Sequence, residues 1–174
     1  MHSKINIIVS ILLFSVLTIS AQNRDKRITE LKLELPLVSS PVASYVNSVQ
    51  TGNLLFLSGK GPKKLDGTYI KGKLGADLTI EQGQEAARLT GLIILAELKH
   101  QLGSLQKVKR IVKVLGMVNA TPDFENHPKV MNGFSDLMIE VFGDKGKHAR
   151  SAVGVGSLPF NMAVEIEVIV EVGN

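Results

Sequence analysis

Hydrophobic positions along this chain change their period several times, and each change marks an element. The clearest run is the last, where Val164, Ile166, Val168, Val170 and Val172 alternate with Glu165, Glu167, Ile169 and Glu171, as a strand with one buried face requires. Ala149 to Val155 is strand-like too, and Gly156-Ser157-Leu158-Pro159-Phe160-Asn161 connects the two, so the spacing predicts a terminal β-hairpin. A second hairpin is predicted from Tyr45–Gln50 and Leu54–Ser58, because Thr51-Gly52-Asn53 between them suits a tight turn. Helical spacing replaces alternation at Thr79-Ile80-Glu81-Gln82, a capping-box sequence. The helix it opens runs to about Leu102, with Ala86, Leu89, Ile93, Ala96 and Leu98 near the 3.6-residue period and Gly103 as its stop. Pro128 to Phe142 forms a second helix with a stripe of Val130, Phe134, Leu137 and Val141, ended by Gly143. Between the helices, Val108–Val118 is rich in β-branched residues and reads as a strand, with Val108, Val112 and Val114 on one face and Lys109 and Lys113 on the other.

The remaining stretches are less regular. Residues 22–40 form a lead-in in which Leu31, Leu33, Leu35 and Leu37 alternate while Ile28 and Leu31 keep helical spacing, so strand and helix both stay open. Gly59–Asp77 reads as a glycine-rich surface loop, of a length that often serves function. At the start, Lys4 precedes the apolar run Ile5–Ile19, which ends in Ser20-Ala21-Gln22. That run is short for a membrane span and has the layout of a secretory signal, so residues 1–21 are expected to be a signal peptide cleaved after Ala21. The expected product is an exported protein of the bacterial periplasm with no remaining membrane segment, and residues 41–174 are expected to form a single domain.

Composition sharpens this picture by exclusion. The chain has no cysteine, so disulfides, thiolate metal sites and a lipid-modified cysteine are all ruled out. The formal charge is +4, too small a surplus to imply nucleic acid as a partner. Lys60, Lys63, Lys64, Lys71 and Lys73 cluster, but Asp66 interrupts them and Tyr69 is the one aromatic among them, so they read as a solvated loop. His2, His100, His127 and His148 are scattered, without the His-x-x-x-His pair of a zinc site. Dinucleotide, phosphate-loop and nucleophile-elbow signatures are absent as well. No metal or cofactor is expected.

What remains is Arg150-Ser151-Ala152-Val153-Gly154-Val155, then Leu158-Pro159, then Val164-Glu165-Ile166-Glu167. This pattern resembles the C-terminal motif of the Rid (YjgF-like) family of reactive-intermediate imine deaminases. Tyr45-Val46-x-x-Val49-x-x-Gly52-Asn53 with Ser58-Gly59 is similar to the family's first hairpin, and Asn132 stands where its second helix contributes an asparagine. The resemblance implies an α+β, chorismate-mutase-like fold, a mixed sheet with two helices on one face, assembled as a homotrimer with sites between subunits. It also implies hydrolysis of small 2-imino or enamine acids to 2-keto acids and ammonia. Arg150 would hold the substrate carboxylate through paired charge-assisted hydrogen bonds, and Glu165 would act as general base on a water. Tyr45 would border the ligand, the Gly59 backbone would let it approach closely, and Asn132 and the Ala152 backbone N–H would complete the site. Two positions depart from the family pattern: Ala152 replaces a frequent cysteine, and His148 replaces a frequent proline. Two further readings accompany the deaminase. One is a non-catalytic trimer binding a small carboxylate or a partner protein; the other, endoribonuclease activity, has the modest charge and the sparse aromatics against it.

Overall fold

A computed structural model describes residues 23–38, 40–41 and 43–173; the expected signal peptide lies outside the described residues. The lead-in takes the helical alternative at its start, and residues 31–38 form no strand. Asn23 caps a short helix, α1 (Arg24–Glu30), by accepting from the Lys26 amide, and Ile28 is its buried residue. The chain then leaves the helix and lays Leu31, Leu33 and Leu35 against the core.

The first hairpin forms as predicted, although its first strand is shorter: β1 (Ser48–Thr51) pairs antiparallel with β2 (Leu54–Lys60) across Gly52 and Asn53, and Gly52 has a φ of +57°. Helix α2 (Ile80–Leu102) carries the full capping box, with the Gln82 amide donating to Thr79 Oγ1 and the Thr79 amide donating to Gln82 Oε1. Gly103 ends it in the left-handed conformation. Its buried stripe is rotated from the expected one: Ala86, Ala87, Thr90, Gly91, Ile94, Leu95 and Leu98 are buried, whereas Leu89 and Ile93 are half-buried. Small residues drew the helix inward, since a Cβ on Gly91 would strike Leu137. After β3 (Val108–Asn119), helix α3 (His127–Phe142) buries the predicted Val130, Phe134, Leu137 and Val141.

The β3 faces differ from expectation. Ile111, not Val112, is buried beside Val108 and Val114, because register shifts against the last strand fall after Val108 and Ile111. Each such bulge moves the alternation by one residue.

Strands β4 (Ala149–Val155) and β5 (Val164–Val172) exist with the predicted bounds to within a few residues, but they are not a hairpin. The sheet order is β1-β2-β5-β3-β4, so β3 lies between them, parallel to β4 and antiparallel to β5. The link from 156 to 163 is long enough to step over the end of β3, and Asn119 fastens it there. Its amide donates to the Ala163 carbonyl, and its buried side-chain amide donates to Asn161 Oδ1 and the Met162 carbonyl. Lys73 Nζ completes the knot by donating to Asn119 Oδ1 and to the Gly156 carbonyl.

Helices α2 and α3 cover one sheet face, where Val164, Ile166, Val168, Val170 and Val172 of β5 are all buried. The opposite face is open. Phe56, Leu115, Met117, Val153 and Ile169 lie on it with Glu165 and Glu167, as the strand register requires. The described residues form a single domain, a mixed five-stranded sheet with three α-helices, the α+β architecture that the resemblance implies. No helix of the described residues is long and apolar enough to cross a membrane.

Candidate functional site

A β-bulge shapes the first half of the site. Leu57 pairs with Val168, yet Lys60 pairs with Ile166, so β2 spends an extra residue there. That residue step brings Gly59 against the side chain of Glu165. A Cβ on Gly59 would collide with Glu165 Oε1; glycine here makes room for the glutamate carboxylate as well as for any ligand. Glu165 and Gly59 line a cleft of about 360 Å³ together with Tyr45. Its remaining walls come from Ser40, Pro41, Asn47, Lys60, Gly61, Lys63, Tyr69, Ile93, Pro159, Phe160 and Met162. Burial, reinforced by the neighbouring Glu167, holds the Glu165 carboxyl above the ordinary carboxylate range.

Lys60 was grouped with the solvated lysines, and that expectation fails. It ends β2 instead of belonging to the loop, and it donates to Asn47 Oδ1 at 2.6 Å. Its ammonium also lies 3.8 Å from Glu97, a carboxylate of α2 that is 2% exposed. Burial lowers the Lys60 pKa while Glu97 opposes the shift. Sequence spacing could not show this pair, because the two residues meet only once α2 docks on the sheet. Asn47, Tyr69 and Phe160 were likewise missed; a single exposed-looking residue in a turn carries no signal of its own.

The second half lies at the β4 edge. Arg150 donates from Nη1 to Asn132 Oδ1 at 3.1 Å and to Ser135 Oγ at 2.8 Å, and from Nη2 to the Pro128 carbonyl at 3.1 Å. Asn132, expected as a site residue on the second helix, is therefore beside Arg150. Burial lowers the Arg150 pKa from an ordinary value so high that the guanidinium stays charged, and Asp136 favours that charge. Arg150, Asn132, Ser135 and Asp136, with Ile139, Lys147 and His148, line a shallow hollow of about 390 Å³.

His148 participates directly. Its Nδ1 is 2.6 Å from the Gly146 carbonyl, and its Nε2 is 3.1 Å from Ser135 Oγ. Burial lowers its pKa against the Gly146 hydrogen bond, and Arg150 lowers it further. A neutral ring must carry its proton on the nitrogen facing the carbonyl, so Nε2 accepts from the Ser135 hydroxyl. Ser135 in turn accepts from Arg150, and the histidine thus fixes the hydroxyl that fixes the guanidinium. Ala152, two residues on, lies opposite Gly116 and packs its methyl on the core.

The predicted residues thus fall into two groups. Tyr45, Gly59 and Glu165 share one cleft; Arg150 and Asn132 share another, with Ala152 on the same strand. The expected terminal hairpin would have joined Arg150 and Glu165 directly, but β3 separates their strands.

The family profile "YjgF/chorismate mutase-like, putative endoribonuclease" matches residues 25–172. Protein TCP17 of Trypanosoma cruzi is 44% identical over 145 residues, which are 83% of this chain and 91% of that protein. A 2-iminobutanoate/2-iminopropanoate deaminase of Dermatophagoides farinae is 31% identical over 139 residues, 79% and 93% of the two chains. Among solved structures, Agrobacterium tumefaciens Atu1372, of unknown function, is similar with a TM-score of 0.79 at 41% identity, over 86% of this chain and 94% of that one. With the motif, the fold and near-complete coverage in agreement, the chain belongs to the YjgF family, also called the Rid family.

Proposed function

We propose that this protein hydrolyses 2-imino acids, and the enamines that tautomerise to them, to 2-keto acids and ammonia. The observation that carries the reading is Glu165: a half-buried carboxylate of raised pKa, on a rigid strand, in a cleft bordered by Tyr45. A protonated imine is electrophilic at C2 without a metal. Water adds there as Glu165 takes one of its protons, giving a carbinolamine. Return of that proton to nitrogen lets the C–N bond break, with ammonia leaving as the C2 hydroxyl gives its proton to the Glu165 carboxylate and becomes the keto group. A positioned base of this kind contributes about 10²- to 10⁴-fold. Arg150 supplies the charge that the substrate carboxylate needs, and its guanidinium is held by Asn132, Ser135 and Pro128.

The reading requires the two half-sites to meet, and an assembly can do this. One half lies toward the β1–β2 edge and the other at the β4 edge, opposite ends of the sheet order. Two different edges of one chain can meet only head to tail, and such contacts form a closed ring when the rotation permits. A homotrimer with sites between subunits satisfies this, and the apolar residues on the open sheet face give it surface to bury. We place the working protein outside the cytoplasm, in a bacterial periplasm, on the strength of the signal-like residues 1–21. No nucleic acid partner and no cofactor enter the proposal.

The deciding assay generates 2-iminobutanoate or 2-iminopropanoate with an amino-acid oxidase and follows imine loss on adding the purified mature protein. Acceleration over buffer is expected. No acceleration at high protein concentration overturns the proposal and leaves the second reading, a non-catalytic trimer that binds a small carboxylate. The three acceptors already engaging Arg150 bear on both readings alike, since a carboxylate would have to share or displace them.

A further inference from the structure

The Glu165 cleft has a wall that general imine hydrolysis does not use. Tyr69 and Phe160 stack with ring centroids 5.7 Å apart and planes 6° from parallel, and both line the cleft. Phe160 is 61% exposed, so its outer ring face is open. Its backbone is also unusual, with a φ of +55°, followed by Asn161 at +57°. A side-chain-bearing residue is costly in that region and an aromatic one especially so, whereas glycine or asparagine would fit with less strain. The fold nevertheless holds the segment firmly. The Gly72 amide donates to the Asn161 carbonyl, the Ala163 amide donates to the Ile70 carbonyl, and Asn119 Nδ2 donates to Asn161 Oδ1. Strain that persists under such a clamp, with an apolar ring turned to solvent at a cleft, is a mark of a ligand contact.

We propose that Tyr69 and Phe160 form a side-chain subsite that selects 2-imino acids bearing an aromatic ring over small aliphatic ones. The inference rests on the reading of the Glu165 cleft as the reaction site and names its substrate class. The stacked pair leaves the outer face of Phe160 as a flat apolar surface backed by Tyr69, and a third ring stacks on a flat face with more contact than a methyl group can make. The cleft volume of about 360 Å³ leaves space for such a ring, since sites for larger small molecules begin at roughly 300 Å³. The balanced reaction is unchanged: imine and water give ammonia and an aryl-substituted 2-keto acid.

The test compares kcat/KM for the imines of phenylalanine and alanine, each generated by an amino-acid oxidase, in wild type, F160N and Y69L. Asparagine tolerates the left-handed backbone and removes the ring; Y69L removes the other ring should F160N fail to fold. The wild-type ratio of aromatic to small imine is expected to exceed about tenfold, and each variant to lower it by about tenfold. A wild-type ratio at or below one, or a ratio that neither folded variant moves, overturns the subsite. If F160N changes only the sedimentation of the assembly and not the ratio, the ring belongs to a subunit contact and the proposal falls. Should wild type hydrolyse neither imine, the deaminase reading fails separately, and calorimetry with phenylpyruvate and pyruvate then decides the subsite. Tighter binding of phenylpyruvate that F160N abolishes supports it; equal binding overturns it.

Discussion

Glu165 and Gly59 are mutually dependent, because the glutamate carboxylate occupies the space that any side chain at position 59 would fill. Two outcomes follow at this scale. Glu165→Gln keeps the shape and removes the base, so kcat for imine hydrolysis should drop on the order of 10²- to 10⁴-fold with the fold intact. Because burial raises the Glu165 pKa, kcat/KM should fall with decreasing pH through a value above the ordinary glutamate pKa of about 4.3. An acid limb at or below that value in a pH–rate profile would count against a desolvated base. His148 offers a separate titration. Its pKa in the folded protein is lowered, first by burial, so the unfolded chain binds the proton more readily. Stability is then fully present above the unfolded-state pKa, about 6.5, and is lost as pH falls from there toward the folded-state value. Thermal melts across pH 5 to 8 should show this decline in wild type and a shallower one in His148→Gln. The arginine and glutamate were legible from their joint spacing. Ser135 and His148 were not, because a hydroxyl that links a ring to a guanidinium leaves no trace in spacing.

At the scale of elements, periodicity was a good guide wherever one face of an element alone decides its residues. The β5 alternation, the α3 stripe and the α2 capping box all read directly from the chain. It failed where the deciding contact is distant in sequence. The two bulges of β3 exist only in its pairing with β5, and Gly91 draws α2 toward Leu137 of α3. The terminal hairpin failed for the same reason: two adjacent strands with a connecting loop look alike whether or not a third strand lies between them. What fastens the link over the end of that third strand is Asn119, fully buried and hydrogen-bonded through both ends of its amide. Asn119→Ala would leave the Met162 carbonyl and Lys73 Nζ without this partner, each loss costing about 1–3 kcal/mol where the group is buried. Hydrogen exchange should report faster exchange in residues 156–163, ahead of any change in α2 or α3.

For the whole molecule, the separation of the half-sites is the most consequential feature. Arg150 and Glu165 belong to strands at different places in the sheet, and each lines a hollow the other does not enter. If a reaction site is built from the Arg150 half of one copy and the Glu165 half of the next, two inactive variants can repair each other. Arg150→Ala chains still carry a sound Glu165, and Glu165→Gln chains still carry a sound Arg150. Each variant alone should be nearly inactive. After unfolding and refolding an equal mixture, each intersubunit site draws its two halves independently, so about one quarter of sites receive both intact residues and activity should return to about that fraction of wild type. A site completed within one chain predicts no recovery, because every chain in the mixture lacks one of the two groups. Mass spectrometry of the refolded assemblies, showing mixed composition, makes the absence of recovery as informative as its presence. The recovered fraction also tests the chemistry, since repair requires both the carboxylate-binding charge and the base to act at the same site.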